Sequence, residues 1–275
     1  MKVLLCEGTR DMEFLTSFLI KCYDFERKKI KKNYLNKKLG LNYKNFNVVK
    51  KINEIFIFYP RGGGSEEVKN VVKNTSQMID WYNKGVKKVG MALDLDEKNV
   101  QELINSIEQI LKAKYDDVKK YDKFSFICKH GEYNFNITVI PVGDLNIKNK
   151  LGFDVSRHKI EDLILDLSFE DEYFNHVLSQ AIDFYKEKKG KNPTQKSLVK
   201  ILESICDKPD FGTFELISKI LNENAKGILP NYFVEGIEKF LGQIWHLADA
   251  RLDREELEEI FGKEFIEKGF LKKKE

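Results

Sequence analysis

Four carboxylates stand at two matching places in this chain. Glu7 and Asp11 follow an apolar run over residues 2–6, and Asp94 and Asp96 close another, Val-Gly-Met-Ala-Leu-Asp-Leu-Asp over residues 89–96. If both runs are strands of one parallel sheet joined by helical crossovers, the acids meet at its carboxyl edge, where open α/β folds bind ligands. Carboxylates gathered there repel one another unless a cation intervenes. Hard divalent cations take oxygen ligands, and Mg2+ keeps positions open for water and phosphate. The pattern therefore predicts a Mg2+ or Mn2+ site of one or two ions. Glu7, Asp94 and Asp96 are its candidate ligands and catalytic groups, and Asp11 is a further ligand. Asp94 and Asp96, two apart on a strand, would point to the same face. Asp11 falls about one helical turn after Glu7 and can face back toward it. Taken singly, each acid reads more simply as a helix cap or a solvated strand end; the paired placement carries the inference.

Alternation of elements is what would position these groups. Residues 2–6 read as a buried strand, and residues 11–31 carry helical spacing at Phe14, Leu15, Phe18, Leu19 and Cys22. A basic, Asn-rich stretch follows with weak periodicity. Residues 54–59 have the β-branched and aromatic composition of a strand. The turn at residues 60–65 stops it, with Ser65 expected as N-cap and Glu66 and Glu67 in the first turn of a helix running to about residue 83. Residues 86–93 form a third strand and 100–114 a third helix. Strands near 124–129 and 133–142, around His130-Gly131-Glu132, read as an added β-hairpin. From Ile160 onward helix dominates, with amphipathic segments at 193–206, 212–224, 232–247 and 254–267. Asp253 and Glu256 have the form of a capping box. The expected fold class is α/β: a Rossmann-like, mostly parallel sheet flanked by helices over residues 1–169, then an α-helical C-terminal subdomain over 170–275.

At 275 residues the chain easily buries a core, and its formal net charge of +3 argues neither for nor against nucleic acid. The distribution of charge says more, since residues 27–51 are mostly Lys, Asn and aromatics. That stretch is either a solvated face or a phosphate-binding patch. Cys6, Cys22, Cys128 and Cys206 show no CxxC and no His at zinc spacing. With no signal peptide and no membrane span, the expectation is a cytoplasmic protein without a membrane partner.

Leu-Cys-Glu-Gly-Thr-Arg-Asp-Met-Glu-Phe-Leu, which contains Glu7 and Asp11, resembles the opening motif of the Toprim superfamily. Ala-Leu-Asp-Leu-Asp, which contains Asp94 and Asp96, resembles its Asp-x-Asp motif. The resemblance covers roughly residues 1–145. It implies a compact α/β fold with an acidic, Mg2+-binding edge, as in topoisomerases, bacterial-type primases and the overcoming-lysogenisation-defect nucleases. Asp96 is followed by Glu-Lys-Asn, where topoisomerase and primase versions often carry a glycine. The segment Arg-His-Lys-Ile-Glu-Asp-Leu (157–163) is similar to one in stand-alone Toprim-like proteins and the nuclease branch. That similarity makes Glu161 a further acidic ligand and Asp162 a lesser candidate. The implied activity is metal-dependent phosphoryl transfer on DNA or RNA, most simply endonucleolytic cleavage. No topoisomerase cleavage Tyr is recognisable, and the cysteines supply no primase zinc module.

Arg61, Gly62, Gly63, Gly64 and Ser65 could offer backbone N–H groups to a phosphate at a helix N-terminus, with Arg157 as a further basic contact. The loop lacks the Lys and spacing of a P-loop. His158 is the one histidine near the expected site, in a surface or capping role. A second reading is a non-catalytic Toprim-like module in a larger assembly, with a homo-oligomer or protein partner held through the C-terminal helices.

Overall fold

The computed structural model describes residues 1–28, 39, 46–51, 54–86, 88–206 and 212–242. Its centre is an eight-stranded sheet of β1 (Lys2–Cys6), β2 (Glu26–Lys28), β3 (Asn47–Lys51), β4 (Glu54–Pro60), β5 (Lys88–Asp94), β6 (Asp117–Lys120), β7 (Ser125–His130) and β8 (Tyr133–Val142). The order is β2-β3-β4-β1-β5-β8-β7-β6. The middle four strands, β4-β1-β5-β8, are parallel, and the pairs outside them are antiparallel. The result is a mixed α/β fold with a central sheet, parallel at its heart, flanked by helices.

Strict alternation sends successive side chains to opposite faces. Leu4, Cys6, Phe56, Phe58, Ala92, Ile140 and Val142 face one apolar cluster. Val3, Leu5, Ile57, Met91, Leu93, Ile137 and Val139 face the other. The second face is covered by α2 (Ser65–Lys73), α3 (Thr75–Asn83) and α4 (Val100–Lys112). The first is covered by α1 (Thr9–Tyr23) and by the later helices: α5 (Lys148–Leu151), α6 (Ile160–Ser168), α7 (Glu172–Lys189), α8 (Gln195–Ser204), α9 (Gly212–Ile220), α10 (Ala225–Ile228) and α11 (Asn231–Leu241). This apolar cluster crosses residue 170 without a break, from Leu4 and Phe14 to Phe233 and Phe240. Gly90 on β5 makes the seating of α11 possible. A Cβ there would lie 2.6 Å from Leu4 Cδ1 and 2.8 Å from the Phe240 ring.

Several expectations shift in the structure. The helix expected over 65–83 is two helices, because the Asn74 side chain accepts the Gln77 N–H and caps a new one. Gly64, not Ser65, is the N-cap of α2. The expected hairpin is present, yet β8 is no appendage: from Asn136 to Val142 it pairs with β5 in parallel. Three strands were not foreseen. β2 and β3 lie in the basic stretch and β6 forms the far edge. The remainder of that stretch (29–38, 40–45), the residues past 242, the Asp253–Glu256 capping box and the 254–267 segment lie outside the described residues.

Candidate metal centre

Neighbouring strands β1 and β5 send their following helices to opposite faces, α1 to one and α4 to the other. A crevice therefore opens between their carboxyl ends, the switch point at which open α/β sheets bind ligands. Glu7 follows β1 directly, and its Oε1 accepts the backbone N–H of Asp94, the last residue of β5, at 3.0 Å. Asp11, in the first turn of α1, turns back as its spacing suggested: its Oδ2 accepts the Gly8 N–H at 2.9 Å. Asp96 reaches the cluster by another route than a shared strand face. The strand ends at Asp94, and Asp96 adopts a left-handed backbone with φ of 50°. It is held there by paired backbone hydrogen bonds with His158, 2.9 and 2.8 Å long.

The His158 turn is anchored on two sides. Gly143 lies so close that a Cβ would sit 2.7 Å from the His158 carbonyl carbon, and its φ of 122° also favours glycine. Asp162, fully buried, accepts the Lys159 N–H at 3.2 Å and the Asp144 N–H at 3.3 Å, and its Oδ2 lies 3.1 Å from His158 Nδ1. Asp162, the lesser candidate of its pair, is thus the bracket of this turn. From the turn Lys159 extends to the acids, its Nζ 3.0 Å from Asp96 Oδ1 and 3.5 Å from Asp94 Oδ2.

Burial and crowding set the electrostatics. Desolvation, reinforced by the charges of Asp11 and Glu7, pushes the Asp94 carboxyl up to about 9. Desolvation and then the Glu7 charge push Asp11 up to about 7. Glu7 is raised too, again by burial first, although the Asp94 N–H and Lys159 oppose the shift. Burial by itself would lower Lys159, but the hydrogen bond to Asp96 and the charges of Asp94, Asp96 and Glu7 outweigh it and raise the ammonium. Burial first, and mutual repulsion second, thus favour the protonated form of these acids.

Oxygen donors of this kind suit a hard cation, and one atom tests the fit. Asp94 has a side chain only 8% exposed, and its Oδ1 is buried with no hydrogen-bond partner among the described residues. A buried carboxylate oxygen without a donor is costly unless a cation meets it. Even so, among the described residues no three His, Cys, Asp or Glu side chains already close on a metal position. Glu7 and Asp11 are turned to backbone N–H groups, and an ammonium stands between Asp94 and Asp96.

The remaining candidates divide. Glu161 lies close enough for its charge to raise Asp11 and Asp94, but its carboxylate is held by Arg10 at 2.6 Å, and Arg10 also grips Glu203 at 3.0 Å. The glycine loop borders the site. Arg61 N–H donates to Cys6 O and Gly62 N–H to Glu7 O, and Gly62, Gly63 and Gly64 all have positive φ. A Cβ on Gly64 would lie 3.8 Å from Glu7 Oε2. The Arg61 guanidinium turns away to Tyr59 and Glu67. The Ser65 hydroxyl meets Lys69 at 3.4 Å. Arg157 is exposed and pairs loosely with Glu97 at 3.4 Å. Sequence reasoning passed over Lys159 and Arg10, although both sit inside the quoted motifs.

One solved structure shares the architecture. A crystal structure of hypothetical protein PH0156 from Pyrococcus horikoshii OT3 matches with a TM-score of 0.65 at 18% identity, over 88% of this chain and 99% of that one. A likeness at that identity shows a shared fold alone. No curated protein matches the sequence. No described helix is long and apolar enough to cross a membrane. The family model described as "Protein of unknown function (DUF3226)" matches residues 1–235, and the chain belongs to that family.

Proposed function

We propose that this protein carries out metal-dependent phosphoryl transfer on nucleic acid, as a Toprim-type endonuclease. One observation carries the reading: Glu7, Asp11, Asp94 and Asp96 converge at the β1/β5 switch point, and Asp94 Oδ1 is left buried without a donor. The likeness of those same two segments to the Toprim motifs supports it independently. In this reading Glu7, Asp94 and Asp96 hold Mg2+ or Mn2+, with Asp11 beside them. The bound ion would supply Lewis-acid stabilisation of the phosphoryl oxygens and an activated water. Glu7 would serve either as a ligand of that ion or as the group that exchanges a proton with the reacting oxygen. Backbone N–H groups at the start of α2, beside Glu7, receive the phosphate backbone. Glu161, whose charge reaches Asp11 and Asp94, would be a further acidic group once freed from Arg10.

Incubation of plasmid, single-stranded DNA and structured RNA with Mg2+ or Mn2+ tests the activity. Cleavage should fall by roughly 10²–10³-fold in a Glu7→Gln/Asp94→Asn protein, since metal stabilisation of the transition state amounts to several kcal/mol. Cleavage undiminished in that variant sinks the reading. A second reading, a non-catalytic Toprim-like module, is favoured by one specific feature: Lys159 already pairs with Asp94 and Asp96. Salt separates the two. Each phosphate contact lowers log affinity by about 0.7–0.9 per unit of log salt. A steep slope lost on neutralising Lys28, Lys29, Lys31 and Lys32 supports the nuclease. No binding to any DNA or RNA supports the protein-binding module.

A further inference from the structure

We propose that Lys159 is the built-in counter-ion of the carboxylate cluster, and that a divalent cation enters only by displacing its ammonium, so that Lys159 sets the site's cation threshold. The inference rests on the cation reading above and concerns how the same site is controlled.

Three observations carry it. The first is position: Nζ lies 3.0 Å from Asp96 Oδ1 and 3.5 Å from Asp94 Oδ2, bridging two acids of the proposed ligand set. A cation bonded to both oxygens at about 2–2.6 Å would overlap that ammonium or lie against it. At those two oxygens the cation and the ammonium exclude each other. The second is charge: the neighbouring cations are committed elsewhere, Arg10 to Glu161 and Glu203 and Lys69 to Glu66. The third is freedom to leave. The Lys159 backbone is pinned by the Asp162 carboxylate and by the adjoining Asp96–His158 pairing. The side chain is 37% exposed against 8% for Asp94, so its flexible stem can swing to solvent while the turn stays in place. A fixed anchor with a mobile charged tip is the arrangement a displaceable counter-ion needs.

The test uses Mn2+ and the full chain. Calorimetric titration should show Lys159→Met binding Mn2+ at least about tenfold tighter than the parent, while Lys159→Arg, which keeps the charge, binds like the parent. In the unsubstituted protein, acylation of the Lys159 amine by an activated ester, followed by peptide mass spectrometry, should speed up with Mn2+. The exposed Lys189 amine is the internal control and should label at a constant rate. Equal or weaker Mn2+ binding by folded Lys159→Met overturns the proposal. So does equal tightening by Lys159→Arg, or Lys159 labelling that saturating Mn2+ leaves unchanged. If Lys159→Met does not fold without metal, the labelling experiment decides by itself. If neither parent nor variant binds Mn2+, the cation reading fails and takes this inference with it.

Discussion

At the amino ends of β1 and β5, Lys2 and Lys88 stand side by side in register, both buried. At the carboxyl ends of the same two strands, Glu7, Asp11 and Asp94 bury their carboxylates. Both ends place like charges together out of water, and the two clusters are completed differently. Lys2 Nζ donates to Leu241 O at 2.6 Å, to Gly242 O at 3.1 Å and to Glu54 at 2.8 Å. Lys88 Nζ donates to Lys239 O at 2.6 Å and to Gly242 O at 3.0 Å. The lysines therefore satisfy the carbonyls that the last turn of α11 leaves open, where the helix dipole also favours positive charge. Among the described residues the acids keep Asp94 Oδ1 without a donor, and the Lys159 ammonium lies against Asp94 and Asp96. A cluster whose hydrogen bonds are closed by backbone holds a fold together. A cluster left short of charge at a switch point is the kind a ligand completes.

Breaking the lysine end should have the largest effect. Lys2→Met removes the lysine donor of Leu241 O, while Gly242 O keeps Lys88, and should cost about 2–4 kcal/mol in urea unfolding. A loss below about 0.5 kcal/mol would mean that the clamp does little for α11. Lys88 adds a pH signature. Burial first, then the Lys2 charge, lowers its ammonium to about 7, so between about pH 7 and 10.5 the unfolded chain binds a proton that the folded chain does not. Stability of the parent relative to Lys88→Met should accordingly rise with pH across that window.

The acidic end should behave in the opposite sense. Asp94 is raised from 3.8 to about 9, so its favourable contribution is complete below about pH 4 and fades as pH rises toward 9. Asp94→Asn should therefore stabilise the metal-free protein by about 1–2 kcal/mol at pH 8, with little gain at pH 4, while Mn2+ binding disappears. A destabilised Asp94→Asn at pH 8 would show the acids to be as structural as the lysines.

The smallest effect is expected at the rim. Arg157 is 64% exposed and its partner Glu97 69%, so Arg157→Ala should change stability by less than about 0.5 kcal/mol. If nucleic acid crosses this rim, the same change should lower the salt slope of binding by about one contact. An unchanged slope would remove Arg157 from the interface.

Much of the site was legible because its signals are local. The apolar runs ending at Cys6 and Leu93 placed Glu7 and Asp94 at the strand ends, and one helical turn placed Asp11, whereas Asp96 was expected on the strand face of Asp94 and instead lies past the strand end, paired with His158. The glycine loop, expected to present N–H groups at a helix N-terminus, borders Glu7, though the Arg61 guanidinium turns to Tyr59 and Glu67. The edge strands were less legible. β2 and β6 are short and polar and carry little alternation, and β3 lies at the end of a Lys- and Asn-rich run. The break at Asn74 was hidden because apolar spacing continues on both sides of it.

Sequence by itself determined much of the apolar core, through the unbroken apolar run Val3, Leu4, Leu5 and Cys6 and the helical spacing of Phe14, Leu15, Phe18 and Leu19, because apolarity and period are written along the chain. It also determined the chemistry available at the strand ends. Tertiary structure alone decided what those acids meet. Lys159 lies 65 residues from Asp94, Arg10 lies 151 from Glu161, and β8 joins β5 only after β6 and β7 intervene. No local period encodes such meetings. They follow from how the whole sheet and the helices over it pack, which decides which charges share a crevice and which oxygen is left without a partner.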